Sequence, residues 1–549
     1  MLLWKRSYKN FDHIGNVILD ACLHWKRSYK NYAHLGNVIQ EIMLIQENLL
    51  QGGRTMFLKD LLENLQYEHI TGDVHKEIKE LVYDSRKVTP GSLFVCISGT
   101  RLDAHDFIPE VIEKGATAIV VEKDVSAFKN TFQNVTIIKV SSSRKALALL
   151  SCAYFKHPAS QLITIGITGT KGKTTTSYLV QSILERAGKK VGVIGTIGAV
   201  IAGEKVKTAN TTPESFELQK LFRQMVDAGC EYCVMEVSSQ GLKMDRVAGF
   251  TFDIGIFTNF SADHIGPGEH ETMEEYLYCK SLLFQQCKVG CINIDDKNHV
   301  GAIENHTCEI KTFGMDPKAD LRASNLEYIR ENGGLGVRFE VSGSLMNRTI
   351  TTWTPGKFSV YNSLTALIIG KLLEIPEEIM VKALMETQVK GRVEIIPVSD
   401  RFTILIDYAH NAASVESLLT TIREYKPNRI VCVYGGGGNR SKLRRYDMGE
   451  LCGKMADLSI LTTDNPRDEE VSAINEDIKI GLAKNNGAYI EIEDRTEAIH
   501  YSLDHAMDGD VIILLGKGHE TYQEIKGKKY YYCEREVVEE YRDKLRNLK

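Results

Sequence analysis

Residues 162–190 read LITIGITGTKGKTTTSYLVQSILERAGKK, and this stretch decides the fold of the chain. The opening apolar run, 162–167, is rich in β-branched residues and has the length of a strand. A glycine loop follows, and apolar residues then return at helical spacing until Gly188, which lies among basic residues and ends the predicted helix. A strand, a glycine loop, Lys-Thr and a helix in this order are typical of a phosphate-binding loop.

The loop predicts nucleotide binding. Backbone N–H groups and the helix N-terminus would bind phosphate oxygens, Lys173 would reach the outer phosphates, and the Thr174 hydroxyl can ligate Mg²⁺. The strict GxxxxGK[ST] pattern expects glycine where this chain has Ile167, so the loop is a variant. The predicted nucleotide-binding residues are Gly169, Thr170, Lys171, Gly172, Lys173, Thr174 and Thr175.

Length and composition indicate a soluble protein of several domains. A chain of 549 residues predicts three or four domains, and 43% apolar with 25% charged residues is ordinary for globular proteins. The net charge of −5, with both signs mixed along the chain, argues against nucleic-acid binding. We find neither an apolar run of membrane-spanning length nor a secretory signal, so we expect a cytoplasmic protein without integral membrane association.

The cysteines do not suggest a metal or redox centre. Twelve are scattered through the chain, and only Cys230 and Cys233 form a CxxC pair, at a predicted helix-to-strand junction. Without a second such pair, buried reduced thiols are the favoured interpretation.

Residues 1–55 differ from the rest of the chain. The segment 4–18 (WKRSYKNFDHIGNVI) recurs at 25–39 (WKRSYKNYAHLGNVI) with twelve of fifteen positions identical. Two copies are too few for a solenoid, and a basic amphipathic pair that touches a membrane or a partner is one interpretation. We favour another: this extension is not native to the working protein, which would begin at Met56.

Three α/β domains are predicted after this extension. The first, residues 56–158, has strands at 91–97 and 116–121 and a helix at 109–114. Asp84-Ser85-Arg86 lies between an apolar strand and a Pro-Gly turn, where its side chains could enter a cleft or form a solvated turn.

The second predicted domain, residues 159–388, contains the phosphate loop. Its apolar strands end in polar residues, among them Glu236 after Val234-Met235 and His264 after FDIGIF. Ligands bind at the carboxyl ends of strands in open α/β sheets. A buried glutamate there needs a partner, for which a metal ion is the natural choice.

The third predicted domain, residues 389–549, alternates strands with helices and suggests a dinucleotide-fold-like, or Rossmann-like, sheet. Strands are predicted at 403–406, 429–434, 458–461 and 511–515. The polar loops that follow them are DYAH, GGGGNR, DNPR and GKGHE. The glycine run lacks GxGxxG spacing, so we do not predict NAD binding.

Taken together, these segments resemble the Mur ligases, and within them the MurE type, over residues 56–549. The matching segments are DSR with PGSLFV, TGTKGKTTT, NTTPES, MEVSS, FTNF with DH, YCKSLLF, INIDD, PGKFSVYN, KGRVE, DYAHN, GGGGNR, DNPR and GKGHE. The resemblance implies a small uridine-binding domain, a central P-loop ATPase-like domain and a C-terminal amino-acid-binding domain. It also implies ATP-dependent addition of an amino acid to UDP-N-acetylmuramoyl-L-alanyl-D-glutamate in peptidoglycan synthesis.

The resemblance also assigns roles to matching residues. Lys173, Glu236, His264 and Lys280 would be catalytic; Thr174 and Glu236 would ligate one Mg²⁺, and His264 with a carbamylated Lys280 would support a second. Without the resemblance, Lys280 would be taken for a solvated helix lysine. The acceptor substrate would contact Ser85, Asn210, Thr211, Thr212, Ser238 and Arg246. The incoming amino acid would contact Arg440, Asp464, Asn465, Pro466, Arg467, Gly516 and Glu520.

Several positions depart from the family pattern. Met244 stands where a glutamine is frequent, and Gln240 replaces the usual histidine after MEVSS. His264 continues as IGPGEH, and DYAH continues as NAAS. These departures affect local substrate contacts rather than the implied reaction.

Arg467 guides the choice of amino acid. Meso-diaminopimelate carries a second carboxylate that lysine lacks, and an arginine can bind it with two parallel hydrogen bonds. Lysine would leave that arginine unpaired, a penalty that can give discrimination of about ten-thousand-fold. We therefore predict meso-diaminopimelate, with ATP and Mg²⁺, as the requirements of a monomeric enzyme.

Other functions remain open at this point. An L-lysine-adding relative, the next muramoyl-peptide ligase and a folylpolyglutamate synthase are alternatives within the superfamily. A nucleotide-binding regulator without ligase activity is an alternative from another class; it would bind ATP without substrate-dependent phosphate release.

Overall fold

The computed structural model describes residues 56–99, 102–125, 134–263, 265–266 and 269–547. The repeated segment in residues 1–55 and the predicted site residue His264 therefore lie outside the described residues. The described part is a mixed α/β structure with sheets of five, eleven and six strands, and two strand pairs. Within it, no helix is both long and apolar enough to cross a membrane.

The first sheet contains the strands predicted in the N-terminal region. Its strands, with the short pair β1 and β3, are β1 Met56–Phe57, β2 Glu68–Thr71, β3 Glu77–Ile78, β4 Glu80–Val82, β5 Ser92–Val95, β6 Ala118–Val121 and β7 Thr136–Lys139. The five-stranded order is β2-β7-β6-β5-β4, parallel except at β2. The helices here are Leu58–Leu61, Ile108–Glu113 and Ser143–Tyr154.

The central sheet has eleven strands. They are β8 Ile163–Thr168, β9 Val191–Gly195, β10 Gly198–Ile201, β11 Glu204–Val206, β12 Tyr232–Glu236, β13 Phe252–Phe257, β14 Cys287–Asn293, β15 Glu309–Gly314, β16 Leu321–Glu331, β17 Gly334–Gly343 and β18 Arg348–Thr352. Their order is β11-β10-β9-β12-β8-β13-β14-β15-β16-β17-β18. Strands β9, β12, β8, β13, β14, β15 and β16 run parallel, and the hairpins at both edges are antiparallel.

Burial on both faces explains why the middle of this sheet is made of continuous apolar runs. Ile165 and Ile167 of β8 pack into a core with helices Lys173–Arg186 and Lys357–Leu372. The opposite face packs against helix Ser215–Asp227. The remaining helices of this region are Ser239–Lys243, Met273–Ser281, His299–Ala302 and Glu377–Glu386.

The third sheet has six strands. They are β19 Glu394–Ile396, β20 Thr403–Asp407, β21 Arg429–Tyr434, β22 Leu458–Leu461, β23 Tyr489–Glu491 and β24 Asp510–Leu515. The order is β19-β20-β24-β21-β22-β23, parallel except at β19. A hairpin, β25 Tyr522–Ile525 with β26 Lys528–Tyr531, follows. The helices are Ala412–Arg423, Lys442–Met455, Val471–Ala483, Arg495–Asp504 and Glu534–Asn547.

The α/β fold class predicted from the sequence is confirmed. The apolar runs predicted at 429–434 and 458–461 have the observed strand bounds. Cys230, between helix Ser215–Asp227 and strand β12, and Cys233, within β12, are buried free thiols, as expected. The short edge strands β19 and β23 and the hairpin were not predicted.

Candidate active site

The glycine loop joins strand β8 to helix Lys173–Arg186 through two backbone conformations that favour glycine. Gly169 has φ of +141° and Gly172 has φ of +88°. A Cβ atom at Gly172 would also lie 2.7 Å from Asn362 Oδ1. Asn259 fixes the loop from outside, because its side-chain oxygen accepts from the Lys171 N–H at 2.9 Å and its carbonyl accepts from the Thr170 N–H at 2.9 Å. Asn259 and the two glycines therefore fix a loop conformation whose backbone N–H groups can bind phosphate.

Two lysines meet at the carbonyl of Gly169. Lys173 Nζ donates to it at 2.8 Å, and Lys280 Nζ donates to it at 3.0 Å. Burial lowers the pKa of Lys173, and burial together with the charge of Lys173 lowers the pKa of Lys280 well below its usual value. The interpretation of Lys280 as a solvated helix lysine is wrong, because its side chain is 1% exposed and lies 4.3 Å from the Tyr276 ring centre.

Glu236 ends strand β12 beside the loop and is 1% exposed. One carboxylate oxygen accepts from the Thr174 hydroxyl at 2.9 Å and from the Thr196 N–H at 3.0 Å. The other accepts from the Thr196 hydroxyl at 3.1 Å. A buried carboxylate held by these neutral donors, next to a threonine hydroxyl, offers the oxygen ligands that Mg²⁺ prefers. Thr174 and Glu236 therefore fit a magnesium ion.

The residues expected to contact the acceptor form a second group beside Glu236. The Thr212 hydroxyl donates to the Glu236 carbonyl at 3.0 Å, and its oxygen lies 3.0 Å from Ser238 Oγ. Arg246 donates to the Thr212 carbonyl at 3.1 Å. Thr211 Oγ1 lies 3.2 Å from Thr196 Oγ1, and Asn210 is exposed in the same loop. This loop thus lies next to the phosphate loop.

Ser85 begins a single 3₁₀ turn in the N-terminal region, Ser85–Lys87. Its neighbours Asp84 and Arg86 form an ion pair. Arg86 Nε donates to Asp84 Oδ1 at 2.9 Å, and Arg86 Nη2 donates to Asp84 Oδ2 at 2.8 Å. The backbone carbonyl of Ser85 accepts from Lys114 Nζ at 3.0 Å. The sequence allowed side chains that enter a cleft or a solvated turn, and the Asp84–Arg86 pair matches the solvated turn.

The C-terminal region has a cavity of about 350 Å³ at the carboxyl edge of its sheet. Six of the predicted amino-acid-binding residues line it: Arg440, Asp464, Asn465, Arg467, Gly516 and Glu520. Arg444 and Arg445 also line the wall, so cationic and acidic groups face the same space. Pro466 is buried in the loop that passes against Gly438, where a Cβ would lie 1.8 Å from the Pro466 carbonyl. This charge pattern suits a ligand that carries both ammonium and carboxylate groups.

Hydrogen bonds fix the polar wall of the cavity. Asn465 Nδ2 donates to Glu520 Oε2 at 2.9 Å, and its Oδ1 accepts from Lys517 Nζ at 3.3 Å. Lys517 is buried, which lowers its pKa. Arg467 Nη1 donates to the Gly438 carbonyl at 2.8 Å, and this bond connects the DNPR loop to the glycine run.

Arg392 contacts the wall of the C-terminal cavity. Its guanidinium is 5.1 Å from the ring centre of Tyr408, which lines the C-terminal cavity. Burial lowers the pKa of Lys173, and the positive charge of Arg392 lowers it further. The charge of Arg392 therefore acts on groups of both candidate sites.

Sequence reasoning missed three contributors to these sites. Thr196 follows the apolar strand β9, and a search for polar residues at every strand end would have found it. Arg445, 3% exposed, donates to Glu469 and Asp477 from within a helix. Glu524 contacts Arg467 from the unpredicted hairpin. No local sequence signal marks the last two, because their partners are distant along the chain.

The combined arrangement can bind phosphates, bring cationic groups to them and hold a zwitterionic ligand nearby. Such a set serves phosphoryl transfer to a carboxylate better than hydride or metal-redox chemistry, because buried lysines and a carboxylate surround a glycine loop.

Three family models match the chain: the Mur ligase middle domain at residues 167–370, the Mur ligase glutamate ligase domain at 391–518 and the Mur ligase family catalytic domain at 77–155. The UDP-N-acetylmuramoyl-L-alanyl-D-glutamate--2,6-diaminopimelate ligase of Clostridium perfringens (strain 13 / Type A) is 41% identical over 490 residues, 88% of this chain and 99% of that protein. The protein of the same name from Caldanaerobacter subterraneus subsp. tengcongensis is 42% identical over 486 residues, 88% of this chain and 98% of that protein.

A solved structure of a UDP-N-acetylmuramoyl-L-alanyl-D-glutamate--2,6-diaminopimelate ligase is similar in fold, with a TM-score of 0.67 and 26% sequence identity. The similarity covers 90% of this chain and all, 100%, of that one. With family models over most of its length and relatives matched nearly end to end, the chain belongs to the Mur ligase family.

Proposed function

We propose that this protein is an ATP-dependent, ADP-forming ligase that adds meso-diaminopimelate to UDP-N-acetylmuramoyl-L-alanyl-D-glutamate in peptidoglycan synthesis. The observation that carries the proposal is the meeting of Lys173 and Lys280 at the Gly169 carbonyl, in a chain that also has an arginine-lined cavity. The names of its relatives, each a 2,6-diaminopimelate ligase, support the choice of substrates.

ATP is bound by the loop Gly169 to Thr175 in this proposal. The backbone N–H groups of the loop and the N-terminus of helix Lys173–Arg186 hold phosphate oxygens. Lys173 turns from the Gly169 carbonyl to the outer phosphates. Thr174 and Glu236 hold a Mg²⁺ ion, which when bound offsets phosphate charge and aligns the reacting groups.

The reaction joins a carboxylate to an amine through an acyl phosphate. The γ-phosphoryl group of ATP passes to an oxygen of the terminal D-glutamyl carboxylate, and ADP leaves. The amine of the amino acid then attacks the carbonyl carbon, a C–N bond forms, and phosphate departs with one former carboxylate oxygen as the amine loses a proton. Lys173 stabilises the negative charge that gathers in the first step.

Lys280 has a further proposed role as a carbamate. Carbon dioxide reacts with a neutral amine, and the lowered pKa of Lys280 favours that form. With His264, which lies outside the described residues, the carbamylated side chain would support a second magnesium ion.

The acceptor is proposed to span two of three domains. We divide the chain at 56–158, 159–388 and 389–549, with residues 1–55 as an extension. Ser85 contacts the uridine end in the first domain. The muramoyl-dipeptide end contacts the second through Asn210, Thr211, Thr212, Ser238 and Arg246.

The cavity of the third domain is proposed to bind meso-diaminopimelate. Arg467 binds the carboxylate that lysine lacks, while Asp464 and Glu520 face the ammonium groups. The rest of the binding set is Arg440, Asn465, Pro466 and Gly516. We further propose that the enzyme works as a cytoplasmic monomer.

A phosphate-release assay tests the proposal. Purified protein, ATP and Mg²⁺ are incubated with the uridine-linked acceptor and either meso-diaminopimelate or L-lysine. We expect phosphate release that requires both the acceptor and diaminopimelate. Release with L-lysine instead would support the lysine-adding alternative, and ATP binding without release would support a regulator.

A further inference from the structure

The hairpin after the GKGHE loop holds the backbone of Arg467. The Arg467 N–H donates to the Glu524 carbonyl at 3.0 Å, and the Lys526 N–H donates to the Arg467 carbonyl at 2.8 Å. Arg467 has φ of +51°, in the left-handed region that non-glycine residues rarely adopt. These two backbone bonds compensate for that conformation and fix the direction in which the side chain leaves the loop.

Glu524 also holds the Arg467 side chain. Arg467 Nε donates to Glu524 Oε2 at 3.0 Å, and the two side chains are 23% and 27% exposed. The bond from Nη1 to the Gly438 carbonyl fixes a second point of the guanidinium. Among the described residues, these two bonds leave both Nη2 protons and one Nη1 proton of Arg467 available to a ligand. Nη1 and Nη2 together can bind a carboxylate with two parallel hydrogen bonds.

The same residue orients a second member of the cavity wall. The Glu524 N–H donates to Asn465 Oδ1 at 2.9 Å, on the oxygen that also accepts from Lys517. With Oδ1 occupied by two donors, the amide nitrogen of Asn465 must face Glu520. Glu524 thus contacts Asn465 and Arg467, although it is not itself among the residues that line the cavity.

We propose that Glu524 is a positioning residue that sets the selectivity of the cavity for an amino acid with a second carboxylate. Its carboxylate holds the Nε edge of Arg467 so that the Nη1–Nη2 edge points to the ligand. This inference rests on the proposed function, because it takes diaminopimelate as the ligand.

A purely structural role would have a different signature. The hairpin is closed by its own backbone pairs, Tyr522 with Tyr531 through Ile525 with Lys528, which do not need the Glu524 side chain. Replacing that side chain should therefore leave the hairpin folded. Lys528 is exposed on the opposite strand and provides a matched control for a change in hairpin charge.

The test compares Glu524→Ala, Glu524→Gln and Lys528→Ala in steady-state phosphate release. Loss of one partly exposed charge-assisted hydrogen bond should raise the KM for diaminopimelate about tenfold in Glu524→Ala. The kcat and the KM for ATP should stay within about threefold of wild type, since neither depends on the bond to Arg467. Glu524→Gln keeps an oxygen acceptor and should restore most of the affinity, and Lys528→Ala should match wild type.

L-Lysine supplies the decisive comparison. Because it has no second carboxylate, its kcat/KM should be the same in wild type and Glu524→Ala. An unchanged KM for diaminopimelate in Glu524→Ala, or equal losses for diaminopimelate, lysine and ATP, would overturn the proposal. If wild type itself shows no diaminopimelate-dependent release, the proposed function fails instead, and the two failures are thus distinguishable.

Discussion

The phosphate loop and the amino-acid cavity lie in the same molecule but are built in different ways. In the phosphate loop, Lys173 contacts carbonyls three and four residues away, at Thr170 and Gly169, and glycines set the backbone. In the cavity, Arg467 is held by Glu524, 57 residues along the chain, on a separate hairpin. The backbone cradle of the first site is local, although the side chains of Asn259, Glu236 and Lys280 reach it from distant parts of the chain. The second site is assembled from the side chains of distant loops.

The difference reflects two tasks: the phosphate loop binds a ligand that does not vary, and the cavity selects one amino acid among similar ones. A triphosphate presents the same charges each time, so a fixed backbone cradle suffices. An amino-acid side chain must be distinguished from close analogues, and this requires oriented side chains such as Arg467 and Asn465. We expect mutations in the loop to lower the rate with every substrate, and mutations in the cavity to change the choice of substrate.

The largest effect is expected for Lys173→Met. Removing the ammonium that faces the phosphates should lower kcat on the order of a thousandfold with any amino acid, because its charge stabilises the transferring phosphoryl group. Phosphate release under saturating substrates measures this. Lys190→Ala, an exposed lysine beyond the far end of the same helix, is the control and should match wild type. A fall in kcat with only one amino acid would contradict the expectation that the phosphate loop serves every substrate equally.

A smaller and selective effect is expected for Arg467→Ala. Glu524 already pairs with Arg467, so lysine does not leave that arginine fully unpaired. We therefore expect kcat/KM for diaminopimelate to fall about a hundredfold, below the upper range that such sites reach. The value for L-lysine and the KM for ATP should change little. Competition kinetics with both amino acids would measure the ratio, and an unchanged value for diaminopimelate would contradict the assignment.

The smallest expected effect is a change in the pH dependence of folding stability that comes from Lys280. Burial and Lys173 lower its pKa in the folded protein well below 10.5. The unfolded chain then binds more protons than the folded one between the two values, so Lys280 makes the folded state more stable as pH rises through that window. In buffer depleted of carbon dioxide, the Tm of wild type should rise relative to that of Lys280→Met as the pH is raised toward about 10. Parallel Tm curves would show that Lys280 titrates normally.

The sequence predicts the fold and the phosphate loop better than it predicts the contacts within the amino-acid cavity. Apolar runs ending in polar loops were enough for β21 and β22, because both are buried parallel strands. The same rule led to Glu236, and it missed Thr196 only because that strand end was not searched. Strand β23 and the hairpin Tyr522–Tyr531 are short and largely polar, so tertiary contacts rather than apolar periodicity determine them.

Lys280 shows the limit of a single sequence most clearly. Its helix has charged and polar residues on several sides, so local composition favours a solvated lysine. Burial came from packing against Tyr276 and the Gly169 carbonyl, 111 residues earlier in the chain. Only the family resemblance pointed to a role for it. The Arg467–Glu524 pair was missed for the same reason, since neither residue carries a local sign of its partner.

The transfer of one oxygen atom tests the central claim most directly. The acceptor is labelled with ¹⁸O in its terminal D-glutamyl carboxylate and incubated with ATP, Mg²⁺ and diaminopimelate. If the carboxylate is activated as an acyl phosphate at the phosphate loop, the released phosphate carries one ¹⁸O atom from the acceptor. Unlabelled phosphate released alongside amide product would contradict this account.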